Sequence, residues 1–282
     1  MITVIITYYN TPYDQLKQAV YSVLNQTFSK IQFLLVDDGS QQHYEFEGVE
    51  QITLDHNVGQ AEAQNIALSY ARGEYLYFMD ADDYIYRRTL ELLMRTLIDT
   101  NADIAVGRYT QKADGNLGSG SDKSIIFDKR QVLMEICGFP FKAFNVTFNS
   151  VWNKLYRRKL FNDIKFPTGL THNDTFTTHK LVWKTESIAL LPMITYYYRL
   201  GGQIAGRNLY KTKDLILAHQ ARLQFLEEVV QDAELIRNEK GLLLYTMYRT
   251  YMEIKDETIK EDIQQLREEI KGMMNERDFI VR

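Results

Sequence analysis

The chain has 282 residues with 45% apolar content, enough for one large domain or for one domain with a smaller appendage. Its formal net charge of −4 argues against a general nucleic-acid-binding surface. The single cysteine excludes an intrachain disulfide and favours a reducing compartment. No stretch approaches 18 uninterrupted apolar residues and no basic leader is evident, so we expect a cytoplasmic protein that at most contacts the inner face of a membrane peripherally.

The first 110 residues alternate between strand and helix periodicity. Apolar and β-branched runs predict five strands, at residues 2–7, 31–36, 50–54, 74–79 and 103–107. Helical spacing of apolar residues predicts three helices, at residues 12–24, 59–71 and 87–98. Such alternation indicates an α/β fold with a mostly parallel sheet covered by helices on both faces.

The remainder of the chain is less regular. Residues 111–124 are polar and glycine-rich and predict a connection, and from about residue 211 the pattern is helical. We therefore predict a catalytic domain at residues 1–210 and a helical extension at residues 211–282. Five apolar residues near the end of the chain lie at alternating spacings of four and three: Ile259, Ile263, Leu266, Ile270 and Met273. This seam favours a short helix–helix contact, either within the chain or between copies in a homo-oligomer.

Acidic clusters follow two of the predicted strands. Asp37 and Asp38 lie in "VDDGS", and Asp80, Asp82 and Asp83 lie in "DADD". Ligands of open α/β sheets bind beyond the carboxyl ends of the strands. Asp followed by Gly and Ser is also ordinary turn or capping chemistry, which is the structural alternative for the first cluster. We expect the two clusters to leave neighbouring strands and to converge on one divalent ion and its nucleotide.

The second cluster suits a hard cation. Carboxylates two residues apart on a turn can direct their oxygens toward Mg²⁺ or Mn²⁺, which would neutralise a diphosphate leaving group. The sequence contains neither the Gly-x4-Gly-Lys-Ser/Thr loop nor the Gly-x-Gly-x-x-Gly turn that usually holds phosphate. This absence favours a nucleotide that is held through a metal.

An ordered series of motifs covers residues 1–200: "VIITYYNTP", "SVLNQTF", "LLVDDGS", "NVGQAEAQNIAL", "GEYLYFMDADD", "WNKLYRR", "ND" and "YYYR". In this order they resemble the family 2 glycosyltransferases with the GT-A fold, a Rossmann-like sheet flanked by helices. The resemblance implies a nucleotide-diphosphate-sugar donor, usually UDP-linked, with Mn²⁺ or Mg²⁺ as cofactor and inversion at the anomeric carbon. It also implies a glycan, lipid-linked or protein-linked acceptor and a role in polysaccharide biosynthesis.

The same resemblance assigns roles to individual residues. Seven of them would bind the nucleotide sugar: Thr7, Tyr9, Asp38, Asn65, Asp80, Trp152 and Arg207. Asp82, together with Asp80, would hold the metal. Asp174 would be the general base that deprotonates the acceptor hydroxyl, and Arg199 would stabilise charge on the leaving phosphate. Trp152 has core packing as its alternative role.

Two positions depart from the family pattern. Gln64 replaces the arginine of the family's "ARN" segment, and Asn173 replaces the first acid of its "ED" block. Asp174 keeps the second acid, with a helix N-cap as its structural alternative. We expect surface or capping roles for His172 and His179, whose spacing does not suit a shared metal ion.

Two other functions compete with the glycosyltransferase. A metal-dependent nucleotidyltransferase would usually need a glycine-rich basic loop near the N-terminus, and "TYYNTPYDQ" has neither the glycines nor the arginines. A non-catalytic scaffold would have no need for Asp80, Asp82 and Asp174, all of which are present.

Overall fold

The computed structural model describes residues 1–112, 116–138, 145–200 and 209–253. Arg207 and the apolar seam at residues 259–273 lie outside these residues, so both predictions stay as they are.

The elements alternate as expected in the first part of the chain. In order they are β1 (Ile2–Tyr8), α1 (Tyr13–Leu24), β2 (Ile31–Asp37), β3 (Glu50–Thr53), α2 (Gln60–Tyr70), β4 (Tyr75–Asp80), β5 (Tyr84–Ile85), α3 (Thr89–Thr100) and β6 (Ile104–Thr110). The five predicted strands and three predicted helices are confirmed to within a few residues. The two-residue β5 was not predicted, since so short a strand carries no periodicity.

The later elements vary more in length. They are β7 (Ile125–Asp128), α4 (Lys129–Ile136), α5 (Asn145–Asn149), β8 (Lys154–Arg157), a 3₁₀ turn (Arg158–Phe161), α6 (Asn173–Trp183), β9 (Ser187–Tyr197), α7 (Leu209–Phe225), a π-helical turn (Leu226–Val230) and α8 (Ala233–Glu253). None of the helices in the part of the chain that the structure describes is long and apolar enough to cross a membrane.

The described strands form one mixed sheet in the order β3-β2-β1-β4-β8-β6-β9-β5, and β7 also pairs with β9. Strands β3, β2, β1 and β4 are parallel, whereas β8 is antiparallel to both β4 and β6. The predicted α/β sheet with flanking helices is confirmed. The expectation that the acidic clusters leave neighbouring strands is wrong, because β1 lies between β2 and β4.

Both faces of the sheet are covered by helices. Alternate strand residues point to opposite faces, so Ile5 and Leu34 pack into one core while Val4 and Phe33 pack into the other. Helices α2, α4 and α6 contribute to the first core, and α1 and α3 contribute to the second. This double cover explains why the strands are nearly continuous apolar runs.

The helices after residue 209 complete the first core. Helix α7 packs against α6 and α8, and the following apolar residues Leu226 and Leu235 are buried with the sheet residues. A domain boundary at residue 210 stays a prediction. The π-helical turn after α7 and helix α8 nevertheless share a hydrophobic core with the sheet.

Candidate functional site

Three parallel strands end at the same level on one edge of the sheet. Thr7 of β1 lies opposite Asp80 of β4, and Tyr8 of β1 lies opposite Asp37 of β2. The carboxyl ends of these strands therefore carry both acidic clusters at one edge, as expected for a ligand site of an open sheet. Tyr9 follows β1 at this edge and is 38% exposed.

Asp37 anchors the loop that follows β2. Its carboxylate accepts hydrogen bonds from the Tyr8 hydroxyl at 2.8 Å and the Ser40 N–H at 2.9 Å, and His43 Nδ1 lies 2.5 Å from it. Burial alone would raise the pKa of Asp37, but these hydrogen bonds, that of His43 first, lower it overall. Gly39 has φ +71°, and a Cβ there would meet the backbone of His56 at 2.3 Å, so the turn requires glycine.

Asp38 joins the end of β2 to the start of α2. Its buried carboxylate accepts hydrogen bonds from the N–H groups of Val58, at 2.7 Å, and Gly59, at 3.0 Å, and from Asn57 Nδ2 at 2.9 Å. Desolvation outweighs these donors and raises the pKa of Asp38. Asp38 therefore makes the turn-stabilising contacts that its structural alternative requires. A contact between Asp38 and a nucleoside stays a prediction.

Asn65 is similarly engaged within the chain. Its amide exchanges two hydrogen bonds of 2.9 Å with the backbone of Phe166, one from the Phe166 N–H and one to the Phe166 carbonyl. The side chain therefore fixes the segment before α6 against α2. Its predicted place beside the nucleotide is untested.

Asp80 and Asp82 lie among other carboxylates, and among the described residues only Arg199 is a positively charged neighbour that acts on Asp82. Asp80 ends β4 and accepts one hydrogen bond, from Gln60 Nε2 at 3.1 Å. Burial, followed by the charges of Asp83, Asp82 and Asp174, raises the pKa of Asp80 well above its usual value. We call these four carboxylates, Asp80, Asp82, Asp83 and Asp174, the acidic edge.

Asp83 holds the acidic turn in place. It is 1% exposed and accepts hydrogen bonds from the Tyr196 hydroxyl at 2.6 Å and the Arg199 N–H at 2.7 Å. Burial raises the pKa of Asp83 to about 7. Arg199 Nε also donates to the Asp82 carbonyl at 2.7 Å, so the predicted phosphate-stabilising arginine lies beside the predicted metal ligand.

The side chains of the acidic edge determine which metal ion it could hold. No group of three or more acidic, histidine or cysteine side chains in residues 1–112, 116–138, 145–200 and 209–253 forms a ready-made metal centre. Burial raises the pKa of Asp82 as well, and the hydrogen bond from its own backbone N–H and the charge of Arg199 oppose that rise. The carboxylates of Asp80 and Asp82 fit Mg²⁺ or Mn²⁺, because these ions commonly bind one or two carboxylates and complete their coordination shell with water and substrate phosphate.

Trp152 lies in an aromatic stack. Its ring is 7% exposed and lies between Tyr196, at 4.6 Å, and Tyr198, at 5.2 Å, with interplanar angles of 15°. Because the Tyr196 hydroxyl also binds Asp83, the stack connects the Trp152 loop to the acidic turn. Trp152 therefore packs in the core, as its alternative role requires. A contact between Trp152 and the sugar stays a prediction.

Asp174 is the second residue of α6. His172 occupies the N-cap position with φ 59°, so the alternative that Asp174 is the N-cap is wrong. Burial raises the pKa of Asp174, whereas the Lys154 charge and the backbone N–H groups of Val151 and Asp174 oppose that rise. The helix N-terminus also favours the charged carboxylate.

The two departures from the family pattern contact each other. Asn173 Nδ2 donates to Gln64 Oε1 at 2.8 Å, and both side chains are buried. The neutral amide pair joins α2 to the first turn of α6, where an arginine and an acid would have opposite charges.

Lys154, at the start of β8, was missed as a candidate. It is 2% exposed, and burial lowers its pKa to about 7 although the charge of Asp174 opposes that change. The available signal was a lysine inside the otherwise apolar and aromatic block "VWNKLY". A lysine is rarely buried without a partner, so this pattern indicated a specific internal contact.

Comparisons with known proteins identify the family. The family model described as glycosyl transferase family 2 matches residues 3–165. Glycosyltransferase GlyG of Streptococcus pneumoniae is 28% identical over 71% of this chain and 70% of its own length. The Escherichia coli UDP-Glc:alpha-D-GlcNAc-diphosphoundecaprenol beta-1,3-glucosyltransferase WfgD is 24% identical over 75% of this chain and 81% of its own.

A solved structure supports the fold. S. aureus TarS, residues 1–349, in complex with UDP-GlcNAc superposes with a TM-score of 0.70 at 18% identity, covering 96% of this chain and 80% of that one. The fold is thus that of a solved GT-A glycosyltransferase, which confirms the predicted architecture. The motif order, the acidic edge and the family match agree, and they favour a transferase over a nucleotidyltransferase or a scaffold. The chain belongs to glycosyl transferase family 2 and is a glycosyltransferase.

Proposed function

We propose that this protein transfers a sugar, with inversion, from a UDP-sugar to a hydroxyl of a glycan, lipid-linked or protein-linked acceptor. One observation carries the proposal: the acidic edge gathers four carboxylates, and burial together with the charges of the other three raises the pKa of Asp80, so that a bound cation would be favourable there. The UDP-GlcNAc bound to TarS and the UDP-Glc donor and diphosphoundecaprenol-linked acceptor in WfgD's name support this donor and acceptor class.

The donor would contact residues at or just after the ends of β1, β2 and β4. Asp82 and Asp80 would hold Mn²⁺ or Mg²⁺, and the ion would neutralise the diphosphate as it leaves. Arg199, which is bound to the Asp82 carbonyl, would add a second positive charge on that side. At the ends of β1 and β2, Tyr9 would stack on the base and Asp38 would accept a hydrogen bond from the nucleoside.

Asp174 would deprotonate the acceptor. Its raised pKa makes it a stronger base than an exposed aspartate, provided that it is charged at working pH. As the proton moves to Asp174, the acceptor oxygen bonds to the anomeric carbon and the bond from that carbon to the diphosphate breaks. A single displacement of this kind inverts the centre and needs no protein nucleophile. A cytoplasmic location, peripheral membrane contact and a homo-oligomer remain further proposals.

The test separates metal binding from base catalysis. With UDP-GlcNAc and UDP-glucose as donor probes, Asp174→Asn should reduce UDP release about 10²-fold or more while Mn²⁺-dependent UDP affinity persists. Asp82→Ala should instead abolish the Mn²⁺ dependence of UDP affinity, measured by calorimetry. Near-normal turnover by Asp174→Asn would move the base to another residue. Unchanged Mn²⁺-dependent affinity in Asp82→Ala would refute the metal assignment.

A further inference from the structure

The loop before β8 is built around buried backbone carbonyls. Ser150, Val151 and Trp152 are each less than 8% exposed. The Lys154 ammonium donates to the Ser150 carbonyl, and it lies 3.3 Å from Ser150 Oγ and 3.5 Å from the Trp152 carbonyl. The carbonyl between them, that of Val151, accepts from the Tyr156 hydroxyl at 3.0 Å. Buried carbonyls need donors, and one lysine supplies two of the three.

Both ends of this loop are also fixed. The Ser150 N–H donates to the Val146 carbonyl at 3.0 Å, which ties the loop to α5. At the other end Asn153, with φ 57°, donates to the Arg108 carbonyl at 3.1 Å and accepts from Thr195 Oγ1 at 2.9 Å. Just before the loop, Asn149 Nδ2 donates to Oγ1 of Thr175, the residue after Asp174, at 3.1 Å, and between the anchors the Val151 N–H acts to lower the pKa of the Asp174 carboxylate.

A charged donor in this position is costly. A lysine loses much of its hydration when it is buried, and a neutral amide or hydroxyl would satisfy a carbonyl with a smaller penalty. What a neutral donor lacks is the long-range attraction between the ammonium and Asp174. The lysine therefore does two things at once: it holds the loop that donates to the Asp174 carboxylate, and it adds positive charge to that carboxylate's surroundings.

We propose that Lys154 is a positioning residue for the general base: its ammonium fixes the Ser150–Trp152 loop so that the Val151 N–H stays directed at Asp174. This inference rests on the proposed role of Asp174. Lys154 itself touches neither the donor nor the acceptor in this scheme. It acts through the loop and through its charge.

In the described part of the chain, four groups besides the backbone act on Asp174 or respond to its charge. They are Asp80, Lys154, Tyr156 and Tyr198. Of these only Lys154 brings positive charge to the carboxylate. Removing that charge should raise the pKa of Asp174 and move the acidic limb of the kcat–pH profile to higher pH, because the base must be deprotonated to act.

Lys154→Met tests the proposal, since methionine nearly keeps the length and volume but removes the charge. With UDP-GlcNAc or UDP-glucose we expect kcat for UDP release to fall about tenfold or more, KM for the donor to stay within about twofold, and the acidic limb to rise. Hydrogen–deuterium exchange of residues 150–153 should accelerate about tenfold, while that of α2 stays unchanged. Lys159→Met is the matched control, because Lys159 is an exposed lysine paired with Asp103.

The outcomes distinguish the two proposals. If Asp174→Asn is inactive but Lys154→Met shows wild-type kcat, pH profile and exchange, Lys154 is not a positioning residue. Exchange that rises equally throughout the protein would assign Lys154 to general stability and would also overturn the inference. If Asp174→Asn keeps full turnover, the proposed base fails first. The exchange measurement needs no substrate, so it decides whether Lys154 holds the loop even if neither probe is turned over.

Discussion

Two groups of charged side chains lie near helix α6, and they differ in how their charges are balanced. The acidic edge brings carboxylates together without enough positive charge. The second group, His219, Arg222 and Glu239, lies between α7 and α8 and pairs its charges directly: Arg222 Nε is 3.0 Å from Glu239, and His219 Nδ1 is 2.8 Å from Glu239. Arg222 and Glu239 are each 1% exposed or less. We call this group the ion cluster.

The pKa values show the difference. Burial opposes ionisation in both places, but in the ion cluster Arg222 and His219 overcome it and hold the pKa of Glu239 at about 2. In the acidic edge the neighbouring charges add to the effect of burial and raise the pKa of Asp80. A balanced buried cluster is typical of a structural connection, whereas an unbalanced one indicates a site that completes its charge with a ligand.

The ion cluster also reaches the helix that carries the proposed base. Arg222 Nη1 donates to Asn149 Oδ1 at 3.1 Å, and Asn149 Nδ2 donates to Thr175 Oγ1 at 3.1 Å. Thr175 follows Asp174 in the first turn of α6. The helices after residue 209 therefore connect to the site through this chain of hydrogen bonds.

The largest effect is expected from breaking the balanced cluster. Glu239→Gln leaves the Arg222 charge buried without its partner, so the free energy of unfolding should fall by about 3–5 kcal/mol. Denaturant unfolding measures it. Glu91→Gln removes the carboxylate of the surface pair with Arg88 and should change stability little, because solvent screens that pair. Equal effects of the two substitutions would show that the ion cluster is no more important than a surface pair.

Low pH should lower the free energy of unfolding through the protonation of His179. This histidine is fully buried, contrary to the surface or capping role that we expected from its position in the sequence, and burial, with the charge of Arg222, lowers its pKa to about 3. Because the unfolded chain binds this proton near pH 6.5 and the folded chain does not, stability falls as pH decreases through that value. The loss should be about 2 kcal/mol between pH 7 and pH 5. His179→Gln should reduce that slope in unfolding experiments, and an unchanged slope would contradict the assignment.

The smallest effect, of opposite sign, is expected at the acidic edge. Asp80→Asn removes one of the mutually repelling charges and can still accept the hydrogen bond from Gln60, so the variant should gain about 1 kcal/mol of stability in EDTA. In the presence of Mn²⁺ the wild-type protein should be more stable than the variant, because it gains binding free energy that the variant lacks. Thermal melts with and without Mn²⁺ measure both effects. A loss of stability in EDTA would show that Asp80 is already neutralised within the protein.

Much of the first half of the chain follows from local patterns. Strand and helix periodicities determined β1–β4 and α1–α3, and the turn residues after β2 and β4 placed both acidic clusters at carboxyl ends. Such patterns are local, because the residues that establish a strand or a helix turn lie within a few positions of one another. The family resemblance then singled out Asp82, Asp174 and Arg199 as candidates.

The tertiary structure decided which distant groups meet. It inserted β1 between the two acidic strands, paired Gln64 with Asn173, and brought Lys154 close enough to Asp174 for their charges to interact. These contacts join segments that are far apart in the chain or that meet only once helices dock on the sheet. No local periodicity encodes them, because charge balance in a buried site depends on the three-dimensional neighbours of each group, and the order of residues along the chain does not supply those neighbours.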